Sequence, residues 1–387
     1  DSGFSSLQQE FDSPTGYKRL RIVLGLYNYN TLMNLSTNSK FLSIKYVISL
    51  LRASSSKPQK IKISDTYYNG LNSEQLQLKA FKSHKPLGRS IILYPGASPL
   101  AEEHPSMIFL ASTLANIGFN VYIPRIPLLK KLDISEDNIK WFRNAYEQLI
   151  QRNDVKNSVI TCMGVSYGGA LLLKSSLHGP MVKVPPRCLL TYGTIFDVET
   201  SLDFVMTGKL NIKGKEVNIK PHEWGMVVCF HNFLPKIDIG YDTKDIQRIL
   251  KLRVQNKHED VQSELKKLES NKKELVADIL DAKISSEVKR IIDIILNEKI
   301  DLLNSIAPKS WCKDIDAKVF IMHGAGDNMV PYTQSILLSK NITESELFIS
   351  YLYEHNEISP KRSFSYKLNE LKRLISYMNS FIGYHEN

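Results

Sequence analysis

Short apolar segments alternate with longer amphipathic segments through much of the chain. The apolar segments have the length and β-branched content of buried strands, whereas the longer ones repeat their apolar residues with a helical period. The predicted series covers residues 90–94, 107–117, 121–123, 135–152 and 158–163. Such alternation predicts an α/β fold with a mainly parallel, doubly wound sheet and helices on both faces.

Two earlier segments alternate apolar and polar residues in the manner of paired antiparallel strands. They are residues 60–63 and 76–81, which lie on either side of the turn-forming pair Asn69-Gly70. Residues 1–59 before them form a predicted N-terminal helical extension, which includes the apolar segment 41–51. We therefore expect the sheet to begin at residue 60, with an antiparallel start.

A long insertion separates the two parts of the predicted core. Between Asp197 and Pro308 lie roughly 110 residues, far more than an ordinary loop contains. Residues 209–219 have the pattern of a small hairpin, and residues 243–306 repeat their apolar positions with a helical period. We therefore divide the core into residues 60–197 and 308–387, with a mostly helical insertion at 198–307.

The most informative motif follows the last strand of the first part. It reads Gly164-Val165-Ser166-Tyr167-Gly168-Gly169-Ala170. This order predicts a strand, a sharp turn and a helix, with Ser166 at the apex. Glycine is expected at 164 and 168 because a Cβ atom there would collide with the neighbouring strand or helix. A serine so placed exposes its hydroxyl, and the amide of Tyr167 at the helix N-terminus can stabilise negative charge.

An acid and a base follow the ends of two later predicted strands. Residues 318–323 run into a loop that contains Asp327, and residues 347–353 run into His355. The carboxyl ends of the strands are where open α/β sheets form their active sites. In the chain order Ser166, Asp327, His355, the imidazole would accept the serine proton and the carboxylate would orient the imidazole.

These motifs resemble those of the α/β-hydrolase superfamily, in particular its esterases and lipases. The resemblance runs from about Ser90 to the C-terminus, leaving out the middle, and rests on Gly-Val-Ser-Tyr-Gly-Gly, His-Gly-x-Gly-Asp-x-x-Val-Pro and Glu-His-Asn. In this family the amide that follows a strand-ending His-Gly forms half of the oxyanion hole. The resemblance therefore implies this role for Ala97, beside Tyr167, although Pro95 stands where the family has histidine.

The acid and the base of this triad each have a competitor. Asp197 ends another predicted strand, a position from which some lipases of this fold draw their acid, but it is favoured as a helix cap. Asp327 is preferred because its loop matches the commoner pattern. His323 lies nearer to Asp327 in the sequence but ends its own strand, where a supporting polar or turn role is expected. His355 is therefore preferred as the base.

The insertion emerges above the predicted serine, so we expect a cap or lid whose apolar face walls the acyl pocket. Trp224, Phe230 and Phe233 are the aromatic candidates for this wall. Ser98 and His104, which follow the predicted oxyanion residue, complete the candidate substrate-binding residues, and a solvated loop position is the plainer interpretation of His104. The alternative for the insertion is a bundle that packs only on itself or on a partner chain.

Charge and composition exclude little. The net charge is +10, but lysine and arginine are interleaved with acids and no nucleic-acid module is recognisable, so no nucleic-acid partner is expected. The basic residues of the extension leave a weak peripheral contact with anionic lipid open. No apolar run is long enough to span a membrane. The oligomeric state is not indicated.

The remaining residue types favour a cofactor-free enzyme. The four cysteines show no Cys-x-x-Cys pair, which is typical of reduced cytoplasmic proteins, although a removed signal peptide stays open. The histidines lack metal-binding spacing, so neither metal nor cofactor is expected. We expect a serine hydrolase that cleaves small-molecule carboxylic esters through an acyl-enzyme on Ser166. Thioesterase, peptidase and acyltransferase activities share this machinery, and a non-catalytic binding relative is the alternative of another class.

Overall fold

The computed structural model describes residues 38–51, 61–212, 214–354 and 364–386, and its centre is one eight-stranded sheet. The strands of the described chain are β1 Ile61–Asn69, β2 Gln75–Ser83, β3 Arg89–Tyr94, β4 Phe119–Pro124, β5 Val159–Val165, β6 Leu189–Tyr192, β7 Lys209–Ile212, β8 Lys215–Asn218, β9 Val319–Gly326 and β10 Ser345–Glu354. The strands β7 and β8 pair with each other in a separate hairpin, and the other eight form the sheet.

The sheet has the order β1-β2-β4-β3-β5-β6-β9-β10. The pairs β1–β2 and β2–β4 are antiparallel, and every other neighbouring pair is parallel. All residues of β3 are buried, as expected for a central parallel strand that is covered on both faces. The predicted sheet, mainly parallel with an antiparallel start, is therefore confirmed.

Helices cover both faces of the sheet. The α-helices of the described chain are α1 Ser39–Leu51, α2 Pro105–Asn116, α3 Pro127–Lys130, α4 Asp137–Ile150, α5 Tyr167–Ser176, α6 Pro180–Lys183, α7 Val198–Thr207, α8 Glu223–Phe233, α9 Lys244–Val254, α10 His258–Leu265, α11 Ser270–Leu280, α12 Ser286–Ile306, α13 Thr333–Asn341 and α14 Phe364–Gly383. The helices α4, α5 and α13 bury one face, and α1, α2 and α14 bury the other. This arrangement confirms the doubly wound fold.

The apolar segment of the N-terminal extension forms α1, which packs on the core. Its residues Leu42, Tyr46 and Val47 are buried in the same cluster as α2 and α14. Lys45 donates a hydrogen bond to the carbonyl of Asn116 at the end of α2, so this lysine faces the protein. The apolar segment 41–51 is therefore a helix that packs on the core. Most of the predicted extension, at residues 1–37 and 52–59, lies outside the described residues.

The insertion has an apolar core of its own and also rests on the sheet domain. Its hairpin and the helices α9 to α12 follow the predicted pattern, and α7 and α8 are two further helices before them. Their apolar faces meet in one cluster in which Ile246, Val276 and Ile292 are fully buried or nearly so. Ala97 and Ile134 of the core pack against this cluster. A bundle that packs only on itself is therefore not what the insertion forms.

One buried asparagine fastens α8 of the insertion to the core. The side-chain amide of Asn232 donates to the carbonyl of Leu132 at 2.7 Å, and its oxygen accepts from the backbone amide of Ile134 at 2.9 Å. A third bond, of 2.9 Å, joins the same amide to Val228 within α8. Both faces of the side chain are thus satisfied by backbone groups, which fixes the insertion against the loop before α4.

The described part of the chain offers no helix that is both long and apolar enough to cross a membrane. It also brings no three side chains of His, Cys, Asp or Glu together in a way that could hold a metal ion. All four cysteines are buried thiols. Burial raises the pKa of both Cys188 and Cys229 to about 12, which keeps these thiols protonated and unreactive.

We predict that Asn232→Ala lowers the free energy of unfolding by about 3 kcal/mol, because buried backbone groups at Leu132 and Ile134 lose their partners. Urea unfolding followed by circular dichroism measures this change. Asn144→Ala is the control, since it removes one exposed bond to the carbonyl of Asn69. Equal unfolding midpoints for the two variants would contradict a fastening role for Asn232.

Candidate active site

Ser166 lies at a sharp turn between β5 and α5. Its backbone has φ 53° and ψ −129°, a conformation that L-residues other than glycine rarely adopt. Such a backbone costs about 1–2 kcal/mol and persists only where the surroundings hold it. The predicted strand, turn and helix are confirmed here, and the serine stands at the apex. Strain at this one residue raises the hydroxyl above the carboxyl edge of the sheet.

Close backbone contacts explain the glycines of the turn. A Cβ atom at Gly168 would lie 2.1 Å from the carbonyl oxygen of Pro95, and one at Gly164 would lie 2.6 Å from that of Gly168. A Cβ atom at Gly169 would lie 1.9 Å from Thr194 Oγ1. Only glycine fits at these positions, as predicted for 164 and 168, because β5, α5 and the loop after β3 meet there without space for a side chain.

Two backbone amides beside Ser166 are available to bind an oxyanion. The loop after β3 passes close to the serine, since a Cβ atom at Gly96 would lie 3.2 Å from Ser166 Cβ. The next amide, of Ala97, donates no hydrogen bond to any described residue. The amide of Tyr167 begins α5, and the first amides of a helix have no partner within it. This geometry supports the predicted pair of oxyanion donors.

The side chain of Tyr167 is turned into the apolar core. Its ring is buried in the cluster beneath α4, and its hydroxyl has no hydrogen-bond partner in the described part of the chain. Burial raises the pKa of this phenol, and the charges of Asp133 and Glu136 raise it further. Tyr167 therefore offers its amide to the site, while its hydroxyl stays neutral.

Asp327 lies at the same edge of the sheet as Ser166, and the strand β6 lies between the strands that precede them. The amide of Ser166 donates to Tyr192 at the end of β6, and the amide of Gly193 donates to Met322 of β9. A Cβ atom at Gly193 would lie 3.4 Å from Asp327 Oδ2. The strand β6 thus separates the two side chains, with a glycine where a larger residue would crowd the carboxylate.

The loop of Asp327 holds its carboxylate in a fixed orientation. Oδ1 accepts hydrogen bonds from the amides of Met329 and Val330, both at 2.9 Å. His323 supports the loop from below, because its Nε2 lies 2.9 Å from the carbonyl of Val330 and its Nδ1 lies 2.7 Å from Ser335 Oγ. The carbonyl can only accept, so Nε2 carries the proton. Both ring nitrogens are engaged, which excludes His323 as the base in this arrangement.

His355, the predicted base, lies outside the described residues. The strand that precedes it, β10, ends at Glu354, which pairs with Gly326 of β9. Gly326 is the residue directly before Asp327. The described segment before His355 therefore ends at the edge of the sheet that carries Asp327, and the assignment of His355 stays a prediction.

Asp197, the competing acid, is engaged elsewhere. It stands at the N-cap position of α7, as predicted, but its side chain makes no hydrogen bond to a helix amide. Its carboxylate instead accepts from Thr200 Oγ1 at 3.1 Å and pairs with Lys309 Nζ at 3.1 Å. A lysine already neutralises this buried acid, whereas no lysine or arginine of the described chain pairs with Asp327.

The candidates near the oxyanion loop shape the backbone. Ser98 Oγ accepts from the amide of Leu100, and His104 Nδ1 accepts from the amide of Ser106 as the N-cap of α2. Partial burial lowers the pKa of His104, which favours the neutral ring that this bond requires. A loop and capping role is thus observed for His104, and a contact of either side chain with substrate stays a prediction.

Two of the aromatic candidates are buried within the insertion. Phe230 is 0% exposed and Phe233 is 2% exposed in the insertion's own apolar cluster, so neither lines a space open to solvent. Both lie on the face of α8 that packs against the other helices of the insertion. Trp224 is partly buried at the start of α8, with the Arg253 guanidinium 5.6 Å from its ring. Of the three, Trp224 is the one that solvent reaches.

The sequence did not reveal a buried ion pair beside the oxyanion loop. The Glu102 side chain is 0% exposed, and its Oε1 lies 2.6 Å from Arg125 Nε. In the sequence Glu102 and Glu103 cannot be told apart, because both are acids in a polar loop before α2. The one available signal was Arg125, which follows the apolar segment 121–123 at the carboxyl edge of the sheet, where a partly buried cation favours an acidic partner.

We predict that Gly168→Ala lowers the free energy of unfolding by about 3 kcal/mol, because a backbone carbonyl occupies the space of the new methyl group. The control is Gly225→Ala in α8, where the nearest atom to a Cβ is Val205 Cγ2 at 3.4 Å. Alanine there is expected to be neutral or stabilising by up to about 1 kcal/mol. Urea unfolding of both variants measures the difference, and equal losses would refute the close contact at the turn.

A family model covers part of the chain. The model described as BD-FAE, which is esterase-like, matches residues 261–342. The match includes the last helices of the insertion, the strand β9 and the loop of Asp327, but not Ser166. No curated protein matches the sequence at a significant level.

Solved structures of similar shape include three hydrolases. An acylaminoacyl peptidase from Pyrococcus horikoshii is 12% identical, with 84% of this chain and 42% of that chain covered and a TM-score of 0.42. A 2-hydroxy-6-oxo-6-phenylhexa-2,4-dienoate hydrolase from a Rhodococcus species is 15% identical, with 81% and 99% covered and a TM-score of 0.42. An esterase from Pyrococcus furiosus is 11% identical, with 83% and 92% covered and a TM-score of 0.44. This chain spans less than half the length of the peptidase.

The order of the strands and the serine turn define the class of protein. Two antiparallel strands, β1 and β2, precede the parallel part of the sheet. In that part β4 lies between β2 and β3, and the later strands follow on the other side of β3 as far as β10. A strand, a strained serine and a helix stand at the centre of this sheet. These are features of the α/β-hydrolase fold. Together with the partial match to an esterase-like family model, they show that this chain has the α/β-hydrolase fold, as its motifs predicted.

Proposed function

We propose that this protein is a serine hydrolase that cleaves carboxylic esters through an acyl-enzyme on Ser166. The observation that carries the proposal is the strained backbone of Ser166, beside the amide of Ala97, which donates no hydrogen bond to a described residue. Strain of this kind is retained where the surrounding structure enforces it, and such residues cluster at active sites. A hydroxyl raised at a helix N-terminus is suited to attack a carbonyl carbon.

In the proposed reaction His355 accepts the proton of the Ser166 hydroxyl as its oxygen attacks the ester carbonyl. A serine hydroxyl is a weak nucleophile near neutral pH, so a neutral imidazole must take the proton during the attack. The imidazolium so formed then gives this proton to the leaving alcohol. Water, activated by the same imidazole, releases the acid and restores the serine.

Asp327 is the proposed partner of the imidazole. Two loop amides fix its Oδ1, and Oδ2 lies 3.5 Å from His323 Nε2, whose proton points to Val330. Oδ2 is therefore left to accept from a further donor. No lysine or arginine among the described residues pairs with this carboxylate, so its charge is left to stabilise the imidazolium.

The amides of Ala97 and Tyr167 are the proposed oxyanion donors. Each such donor contributes on the order of 3 kcal/mol to the stability of the transition state. The insertion supports this part of the site because its apolar cluster packs against Ala97. We infer that the insertion walls the acyl pocket, with Trp224 as the aromatic residue most open to a substrate. A panel of esters, thioesters and peptides tests the class of acyl compound.

Ser166→Ala is expected to lower kcat for p-nitrophenyl butyrate by roughly 10⁴-fold or more, because the nucleophile is absent. The variant should also resist labelling by a fluorophosphonate. Ser176→Ala is the control at the other end of α5, where the hydroxyl donates to the carbonyl of Leu173 in the same helix. Wild-type hydrolysis by folded Ser166→Ala would overturn the proposal.

Asp327→Asn is expected to lower kcat roughly 10³- to 10⁴-fold, because an amide cannot orient and stabilise the imidazolium as a carboxylate does. Asp197→Asn is the matched comparison, and kcat for each active site titrated with fluorophosphonate should stay within about threefold of wild type. Asp197→Asn removes a charge that is paired with Lys309, so the free energy of unfolding falls although kcat is kept. The reverse pattern would assign the acid to Asp197.

A further inference from the structure

The loop that carries Ala97 is joined to the sheet by an ion pair whose carboxylate is fully buried and whose cations are partly exposed. Glu102 lies at the far end of this loop, in the short helical turn Ala101–Glu103. Its side chain is 0% exposed, and Oε1 lies 2.6 Å from Arg125 Nε and 3.5 Å from Lys130 Nζ. Oε2 is buried without a hydrogen-bond partner among the described residues. The two cations therefore provide the main compensation for burying this charge.

The guanidinium that receives Glu102 is itself fixed to the sheet. The backbone amide of Arg125 donates to the carbonyl of Gln77 at 3.0 Å, and its side chain bonds to the side chain of Gln77. The carbonyl of Arg125 accepts from Tyr68 Oη at 2.6 Å. Arg125 is thus tied to both β1 and β2 and can act as a rigid support for the carboxylate.

Between Glu102 and Ala97 the backbone is strained and compact. Ala101 is 0% exposed and has φ 41°, in the region that favours glycine. Its amide donates to the carbonyl of Ser98 at 3.0 Å. Such a conformation costs about 1–2 kcal/mol, so neighbouring interactions must hold it. The ion pair of the next residue, Glu102, is placed to do so.

We propose that Glu102 is a positioning residue that holds the amide of Ala97 in place through Ala101 and Ser98. This inference rests on the proposed function, because it assigns to Glu102 the alignment of one oxyanion donor. A charged pair in this buried place is a costly means of stabilising a fold, since apolar residues of similar volume often serve as well. Its benefit is geometric, because a displacement of about 1 Å at a catalytic group can cost about 10²-fold in rate.

The chain offers a matched control at the next position. Glu103 pairs with Lys130 at 3.0 Å and approaches Arg125 at 3.7 Å, but its side chain is 42% exposed. The two acids thus share their cations and differ in burial. Glu102→Gln and Glu103→Gln change the same charge, and only the first removes the buried anchor of the loop.

We expect Glu102→Gln to lower kcat for p-nitrophenyl butyrate about 10- to 100-fold, with KM within about twofold of wild type. Rates are taken per active site titrated with fluorophosphonate, so a loss of folded protein does not count. Glu103→Gln should keep kcat within about twofold. Glu102→Asp, which keeps the charge but shortens the side chain, should fold and show a similar loss in kcat.

Wild-type kcat per titrated site in Glu102→Gln, with only a lower unfolding midpoint, would show a structural role and overturn the inference. Should Glu102→Gln fail to fold, Glu102→Asp decides, and its wild-type kcat would overturn the inference alone. A wild-type protein that neither hydrolyses esters nor reacts with the fluorophosphonate would overturn the proposed function, and this inference with it. The two failures are therefore distinguishable.

Discussion

The close approach of three backbone segments is the constraint on which the site depends. β5, the first turn of α5 and the loop after β3 meet at distances that admit no Cβ atom at Gly164 or Gly168. Because the nearest groups are backbone carbonyls, a changed rotamer cannot relieve a clash. Ser166 and the loop after β3, which carries Ala97, are consequently fixed to each other by the geometry of neighbouring strands. The strain at Ser166 is the cost of this arrangement.

The insertion is fastened to the two sides of this arrangement. Asn232 holds it to the loop before α4, and the amide of His222 donates to the carbonyl of Asn328, next to Asp327. At its ends, the amide of Lys309 bonds to the carbonyl of Phe196. A segment that touches both the acid loop and the surroundings of Ala97 is suited to shape a pocket between them.

Periodicity predicted the sheet and its covering helices because their burial is nearly uniform, as in β3. The turn glycines were predictable because their constraint is local. Which face of α8 would turn inward was not predictable, because α8 itself is apolar on several sides, and Phe230 packs within the insertion. The burial of Glu102 was likewise hidden, since its charge is compensated by Arg125, which lies just after β4.

The two acids at the edge of the sheet show why their surroundings, more than their positions, decide their roles. Asp197 is 4% exposed and pairs with Lys309, so its carboxylate would add little to the stability of an imidazolium. Asp327 is held by amides of its own loop, which orient a carboxylate without neutralising it. An imidazolium that forms during catalysis needs an anion whose charge is not already compensated. Of the two acids, Asp327 is the one that pairs with no lysine or arginine of the described residues, which is why it is the acid we propose.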